Sequence, residues 1–312
     1  MNLIPIILPL LLIALLGFVA AKKTWLSQEQ FSGLSKITFS IFIPAFLFYR
    51  MAQADLSNKL SLDLFASFYL PVLLCFGVGF VFNYFLHSEY KKHFAGSAVF
   101  ALGSSYSNNV IVGLPVLLLA IGDDALPIIF VIVTFHSAML FALTSAIAAI
   151  DEKQSAGFNW FGFIKQTLSN PLVAAILSGL VVNLADIEIP YTVGRSLDLL
   201  GQPAITLALL ALGASIARYD IRGERQFIAL ASLIKLVLLP GLVWLFATKI
   251  FMLSTLETSV LVVLSACPTG VNAYLIAQMH KAHRKAVAST VVVSTIASII
   301  SLPLWLIVMN LA

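Results

Sequence analysis

The chain has 312 residues, of which 60% are hydrophobic and only 10% are charged. So few charges cannot cover a soluble fold of this length, which excludes a water-soluble domain. The net charge of +4 calls for no nucleic-acid partner, because its placement follows a membrane logic. The two cysteines, Cys75 and Cys267, lie inside apolar runs and form neither a disulfide framework nor a metal-ligand spacing.

A helix that crosses the hydrocarbon core needs about 20 largely apolar residues, and ten such runs follow one another along the chain. The first, 3–21, has no basic leader before it and stops at Lys22-Lys23, so it reads as a retained helix and not a cleaved signal. The second, 35–52, carries Pro44, and the third, 62–86, carries Pro71. The fourth, 94–119, is interrupted by the polar string Ser104 to Asn109 and then by Gly113 and Pro115. The fifth, 125–149, holds a lone His136, and the sixth covers 164–184. The seventh, 197–217, contains Gln202-Pro203, and the eighth, 226–250, contains Lys235 and Pro240. The ninth, 257–279, is interrupted at Pro268-Thr269-Gly270-Val271-Asn272, and the tenth, 286–310, carries Pro303.

Basic residues set the direction, since Lys and Arg concentrate in cytoplasmic loops. Odd-numbered loops and adjoining helix ends hold Lys22, Lys23, Lys36, Lys91, Lys92, Lys153, Lys165, Arg218, Arg222, Arg225, Lys281, Arg284 and Lys285. Even-numbered ones hold only Arg50, Lys59, Arg195 and Lys249. Both termini are therefore expected on the non-cytoplasmic side of a bacterial inner membrane.

An odd number of helices per unit makes a second unit enter from the opposite face. Residues 1–150 and 151–312 read as two inverted five-helix repeats, with Pro44 answering Pro203, Pro71 answering Pro240 and Pro115 answering Pro268. Such repeats are a recurrent transporter architecture.

Proline removes a backbone amide and clashes with the carbonyl four residues earlier, so Pro115 is expected to break the fourth helix against Ile111 and Pro268 the ninth against Leu264. Interrupted backbone at membrane depth must be satisfied by protein or by a watery cavity. Two such breaks meeting there would present half-helix N-termini, suited to an anion, and carbonyls able to hold a cation. Asn108, Asn109, Gly113, Pro115, Pro268, Thr269, Gly270 and Asn272 are the candidate substrate residues, with Gln202 either lining the site or capping a break. The same small and polar residues would also serve as interhelical glue.

The string from Asn108 to Pro115, and the string Cys267-Pro268-Thr269-Gly270-Val271-Asn272-Ala273-Tyr274, resemble the two motifs of the auxin efflux carrier family. That family includes the plant PIN auxin exporters and bacterial carriers assigned to malonate or malate. The resemblance spans the whole chain. It implies a crossover of helices 4 and 9, a scaffold of helices 1, 2, 6 and 7, a mobile transport domain of helices 3–5 and 8–10, and a homodimer. It also places Asn108 on the residue that contacts the carboxylate in plant members. Asn272 departs from those members, where that position is typically apolar, which puts auxin itself in doubt.

Lys235 follows Arg225 by ten positions, about 15 Å deeper along a helix, and no acid lies comparably deep. An ionisable residue at such depth is a functional candidate: it either keeps its charge and attracts an anion, or exchanges a proton during the cycle. A lysine resting against carbonyls is the plain alternative. His136 is the second candidate proton carrier, against the commoner role of a hydrogen-bonded packing residue. The sequence thus reads as an all-helical secondary transporter for a small organic anion. It needs no cofactor and takes a proton, sodium or nothing as coupling ion. It has no enzymatic motif, since paired deep acids and a His-Glu-x-x-His run are both missing. An anion channel and a ligand sensor on a transporter fold are the rival readings.

Overall fold

A computed structural model describes residues 4–54, 56, 61–86, 93–151, 161, 165, 168–217 and 225–311. Lys59, Lys91, Lys92, Lys153, Arg218 and Arg222, which enter the orientation argument, lie outside these, as do residues 164, 166 and 167 at the start of the sixth expected span. The described residues are helical throughout and contain no strand, only one isolated antiparallel bridge between Ser107 and Thr269.

The helices in chain order are α1 (Ile4–Lys22), α2 (Gln28–Ile37), α3 (Ile43–Ala52), α4 (Leu62–Leu86), α5 (Phe94–Ser105), α6 (Leu114–Ala120), α7 (Leu126–Ala148) and α8 (Pro171–Leu184). They continue with α9 (Tyr191–Gly201), α10 (Ala204–Ile216), α11 (Arg225–Leu233), α12 (Leu239–Leu245), α13 (Thr255–Ala266), α14 (Asn272–Met279) and α15 (Arg284–Val308). Among the described residues, six continuous helices are long and apolar enough to cross a membrane: Gln28–Ala52, Leu62–Phe85, Asp123–Ala148, Tyr191–Ile216, Arg225–Ile250 and Arg284–Val308. Shorter apolar helices lie between them.

The second helix starts earlier than its apolar run, at Gln28 instead of near 35. Ser27 and Gln30 form a capping box there, each side chain satisfying the other's amide, and this nucleates a polar first turn that hydropathy alone passes over.

Proline is accommodated by widening the preceding turn. Thr38–Phe42, Asn109–Gly113 and Ile234–Leu238 are single π-helical turns, each followed two residues later by Pro44, Pro115 or Pro240. The residue before each proline donates five residues back, Ile43 to Thr38, Leu114 to Asn109 and Leu239 to Ile234. The extra residue relieves the ring's clash with the helix carbonyl without ending the helix. At Pro240 the freed carbonyl of Leu236 accepts the indole N–H of Trp305 at 3.0 Å.

Helices pack closely where small residues allow it. A side chain at Gly17 would run into the carbonyl of Leu210, and one at Gly213 into that of Ala14, so α1 and α10 touch backbone to backbone. Helix α8 packs on α3, and Asn183 caps its end by donating to the carbonyls of Met51, Ala52 and Ala54 at 3.2, 3.1 and 2.8 Å. An apolar cavity of about 480 Å³ separates α1 and α10 on one side from α6, its preceding turn and α15 on the other.

Candidate functional site

Two helices come apart inside the bundle. Helix α5 ends at Ser105, Tyr106 to Asn108 leave the helical path, and helix resumes at Asn109. Helix α13 ends at Ala266, and α14 begins at Asn272. The two interruptions satisfy each other: Asn108 N–H donates to Pro268 O at 2.9 Å and Gly270 N–H to Tyr106 O at 3.1 Å. The hydroxyl of Thr269 donates to Gly103 O at 2.9 Å, while its amide donates to Ser294 Oγ at 3.0 Å. Each stretch of freed backbone is thus the partner of the other, as burial requires.

The position of the first break differs from the expected one. Pro115 sits within the resumed helix behind its π turn, and the chain departs from helix at Tyr106, well before the Ile111 carbonyl that the ring would clash with. Pro268 does lie within its break. Gly113 lies where the resumed helix passes the end of α13, since a side chain there would meet Leu264 at 2.8 Å and the Cys267 sulfur at 3.1 Å.

Beside the paired breaks lies a cavity of about 220 Å³, lined by Phe39, residues 106–111, Val133, His136, Ser137, Asn170, Leu172, Val173 and residues 270–272. Asn108, Asn109, Gly270, Asn272 and His136 are therefore brought together. Gly113, Pro115, Pro268 and Thr269 hold the surrounding backbone and do not line the cavity. Gln202 is exposed at the joint of α9 and α10, where it donates to Asp198 at 3.3 Å, away from this cavity.

Three helix starts converge on the cavity: Asn109 with Asn108 before it, Asn272 at the head of α14, and α8 with Asn170 as its cap, accepting from Leu172 N–H at 2.9 Å. The first turn of a helix forms its positive end, and here Leu172, Ala273 and Tyr274 N–H already donate to Asn170 Oδ1, Gly270 O and Val271 O. Four of the lining residues have buried polar atoms without a partner among the described residues: Ser107 Oγ, Asn108 Nδ2, both amide atoms of Asn109, and His136 Nδ1. A buried polar group left unpaired costs about 1–3 kcal/mol.

A second cavity of about 230 Å³ lies between α7, α8 and α14, and Tyr106 stands on the wall of the first. Its ring stacks on His136 at 5.1 Å between centroids, its hydroxyl shares a 2.8 Å hydrogen bond with Ser137, and Asn272 donates to that hydroxyl at 3.4 Å. Ser137, Asn170, Val173 and Asn272 line both cavities. Sequence reasoning missed Ser137 and Asn170. The pair Asn170-Pro171, a cap residue before a proline at the first helical position, was the available signal for a helix start.

Lys235 is wholly buried and lies behind the cavity wall, in the π turn before α12. It donates to Ser265 O at 2.5 Å, at the carbonyl end of α13, and meets no carboxylate among the described residues. A cation at the negative end of a helix is favourably placed. Both buried thiols, Cys75 and Cys267, lie within its electrostatic reach.

The family profile described as "Membrane transport protein" matches residues 3–306. A protein of Rhizobium meliloti named "Putative malonate transporter" is 22% identical over 296 residues, covering 94% of this chain and 92% of that relative. An "Uncharacterized transporter YfdV" of Escherichia coli K12 is 24% identical, covering 98% of this chain and 97% of the relative. An "Uncharacterized transporter" of Methanothermobacter thermautotrophicus is likewise 24% identical, with 97% of each covered. From its first helix to its last, then, this chain belongs to the auxin efflux carrier family of membrane transport proteins.

Proposed function

We propose that the chain carries a small carboxylate across the membrane, binding it in the cavity beside the paired breaks. The observation that carries this reading is the convergence there of three helix starts and four residues with unpartnered buried polar atoms. Amide donors and positive helix ends suit a carboxylate, and among the described residues no acidic side chain lines the cavity to repel it. The relative named for malonate supports a small dicarboxylate as the first compound to try.

On this reading the chain spans the membrane ten times, as two inverted five-helix repeats whose fourth and ninth helices cross at mid-membrane. The packing supports it: α1 on α10 and α3 on α8 are the pairs that an inverted repeat makes equivalent. Helices 1, 2, 6 and 7 act as scaffold in a homodimer, and the remaining helices carry the site past them along the apolar seam between α1, α10 and α15. The second cavity reaches Ser145 and Met279, toward the ends of α7 and α14, and with the basic residues that follow taken as cytoplasmic, this reading makes the conformation inward-facing. Lys235 adds positive charge behind the crossover.

The test is a thermal-shift screen of the purified chain against malonate, malate and other carboxylates, with and without sodium, followed by counterflow in proteoliposomes. A ligand of the folded state raises its melting temperature. Carboxylate binding with saturable counterflow is expected. Flux that never saturates would point to a pore, and binding without flux to a sensor.

A further inference from the structure

The wall of the cavity contains one side chain whose hydrogen-bonding state is dictated by the backbone of the break. Ser107 N–H donates to His136 Nε2 at 2.9 Å. A neutral imidazole has one donor and one acceptor nitrogen, so with Nε2 accepting, the proton resides on Nδ1. The ring cannot turn over to escape this. A half-turn would bring Cε1 opposite the Ser107 amide, leaving that buried donor unpaired, and the ring is held flat against Tyr106, with Phe68 edge-on at 5.6 Å. Ser107 in turn is fixed by its antiparallel bridge to Thr269. Nδ1 has no partner among the described residues, and His136 is only 2% exposed.

Resting on the reading of the cavity as a carboxylate site, we infer that His136 is a substrate-binding residue. It donates Nδ1–H to a carboxylate oxygen as a neutral imidazole, its tautomer set by the Ser107 amide. The role of proton carrier is set aside by the same geometry. A proton added at Nε2 would face the Ser107 N–H donor head-on, so the ring takes up a second proton only after the bridged break comes apart. The site therefore recognises its ligand with three side-chain N–H groups, from Asn108, Asn109 and His136, without a charged side chain on the wall. A carboxylate can engage all three, since each oxygen accepts two hydrogen bonds. A primary amine has no lone pair left once protonated and is rejected.

The experiment uses the full chain in lipid nanodiscs with nitrogen-15 in its histidines, five in all, and assigns the His136 resonances by their loss in His136→Gln. Malonate is the probe. The expected spectrum shows a protonated Nδ1 and an unprotonated Nε2 before any ligand is added, and a shift of the Nδ1 resonance on saturation with malonate. An Nε2–H tautomer, or an imidazolium, overturns the inference whatever malonate does. Malonate that raises the melting temperature while leaving both His136 nitrogens unmoved overturns the donor role alone and leaves the carboxylate site standing. No carboxylate effect on the wild-type melting temperature overturns the site reading and the donor role together. Substitution gives a second readout. His136→Phe keeps the stack on Tyr106 and loses the donor, so malonate affinity is expected to fall roughly tenfold or more. His136→Gln can accept from Ser107 and still donate, so it is expected to stay within about threefold of wild type. Equal losses in the two variants would overturn the donor role.

Discussion

The main-chain amide of Asn108 donates to the carbonyl of Pro268 at 2.9 Å, tying one interrupted helix to the other, while the Asn108 side-chain nitrogen has no partner among the described residues. Backbone holds the fold here, and the side chain is spare. Asn108→Ala is therefore expected to leave the melting temperature of the ligand-free protein nearly unchanged. Malonate binding should weaken by about 1.5–3 kcal/mol, the loss of one hydrogen bond to a charged group. Titration calorimetry on a folded variant checks this, and unchanged affinity would remove Asn108 from the site.

Gly270 faces the ring of Tyr106 so closely that an added side-chain carbon would overlap its edge. That ring has nowhere simple to go, being stacked on His136 and held at its hydroxyl by Ser137. Gly270→Ala is expected to lower stability by roughly 1–3 kcal/mol, as overpacking does, and to abolish counterflow by displacing the Tyr106 ring from the cavity wall. Tyr106→Phe in the same background removes the hydroxyl anchor and is expected to recover part of the lost stability. No recovery would indicate that the clash is relieved elsewhere.

Much of this was legible in the residues, for physical reasons that also mark the limit. Constant helix rise from Arg225 put Lys235 far from the helix end, and the structure buries it completely. The break at Pro268 was visible because proline, glycine and a polar pair coincide. Pro115 misled, because a π turn absorbs its clash and the chain leaves the helix earlier, at Tyr106, where no residue forbids helix. That departure is stabilised by the partner break, a long-range contact with no local signature. The same holds for Ser137 and Asn170, which join the site only through the packing of α7 and α8 against the breaks. Gln202 illustrates the converse: a polar residue beside a proline, yet it faces outward to Asp198.

The Trp305 indole bonds to the Leu236 carbonyl that Pro240 cannot serve. Trp305→Phe is expected to cost about 1–2 kcal/mol by leaving that buried carbonyl unpaired. In a Pro240→Ala background the helix regains an amide that can reach Leu236, so the same Trp305 substitution should cost distinctly less. A double-mutant cycle on melting temperatures measures the coupling, and additive losses would mean that the indole contributes by packing alone.

Lys235 separates two ways of using a buried cation. Its ammonium donates to Ser265 O at the end of α13 and lies outside the cavity lining, so it acts on a substrate through its field and through the position of that helix end. A fixed charge on the order of 10 Å from an anion is worth about 1–2 kcal/mol at an effective dielectric of about 20. Lys235→Gln can still donate to Ser265 but carries no charge. It is expected to fold, to weaken malonate binding roughly tenfold, and to slow both exchange and net uptake. Lys235→Arg keeps the charge, and where the larger guanidinium is accommodated it should preserve binding. The decisive comparison is between equal-pH exchange and pH-driven uptake in proteoliposomes. Arginine does not release its proton in the working range, so a variant that exchanges normally but cannot use a pH gradient identifies Lys235 as the proton carrier. One that does both identifies it as a fixed charge. Wild-type binding, exchange and uptake in Lys235→Gln would sink both roles and leave a lysine that serves only the end of α13.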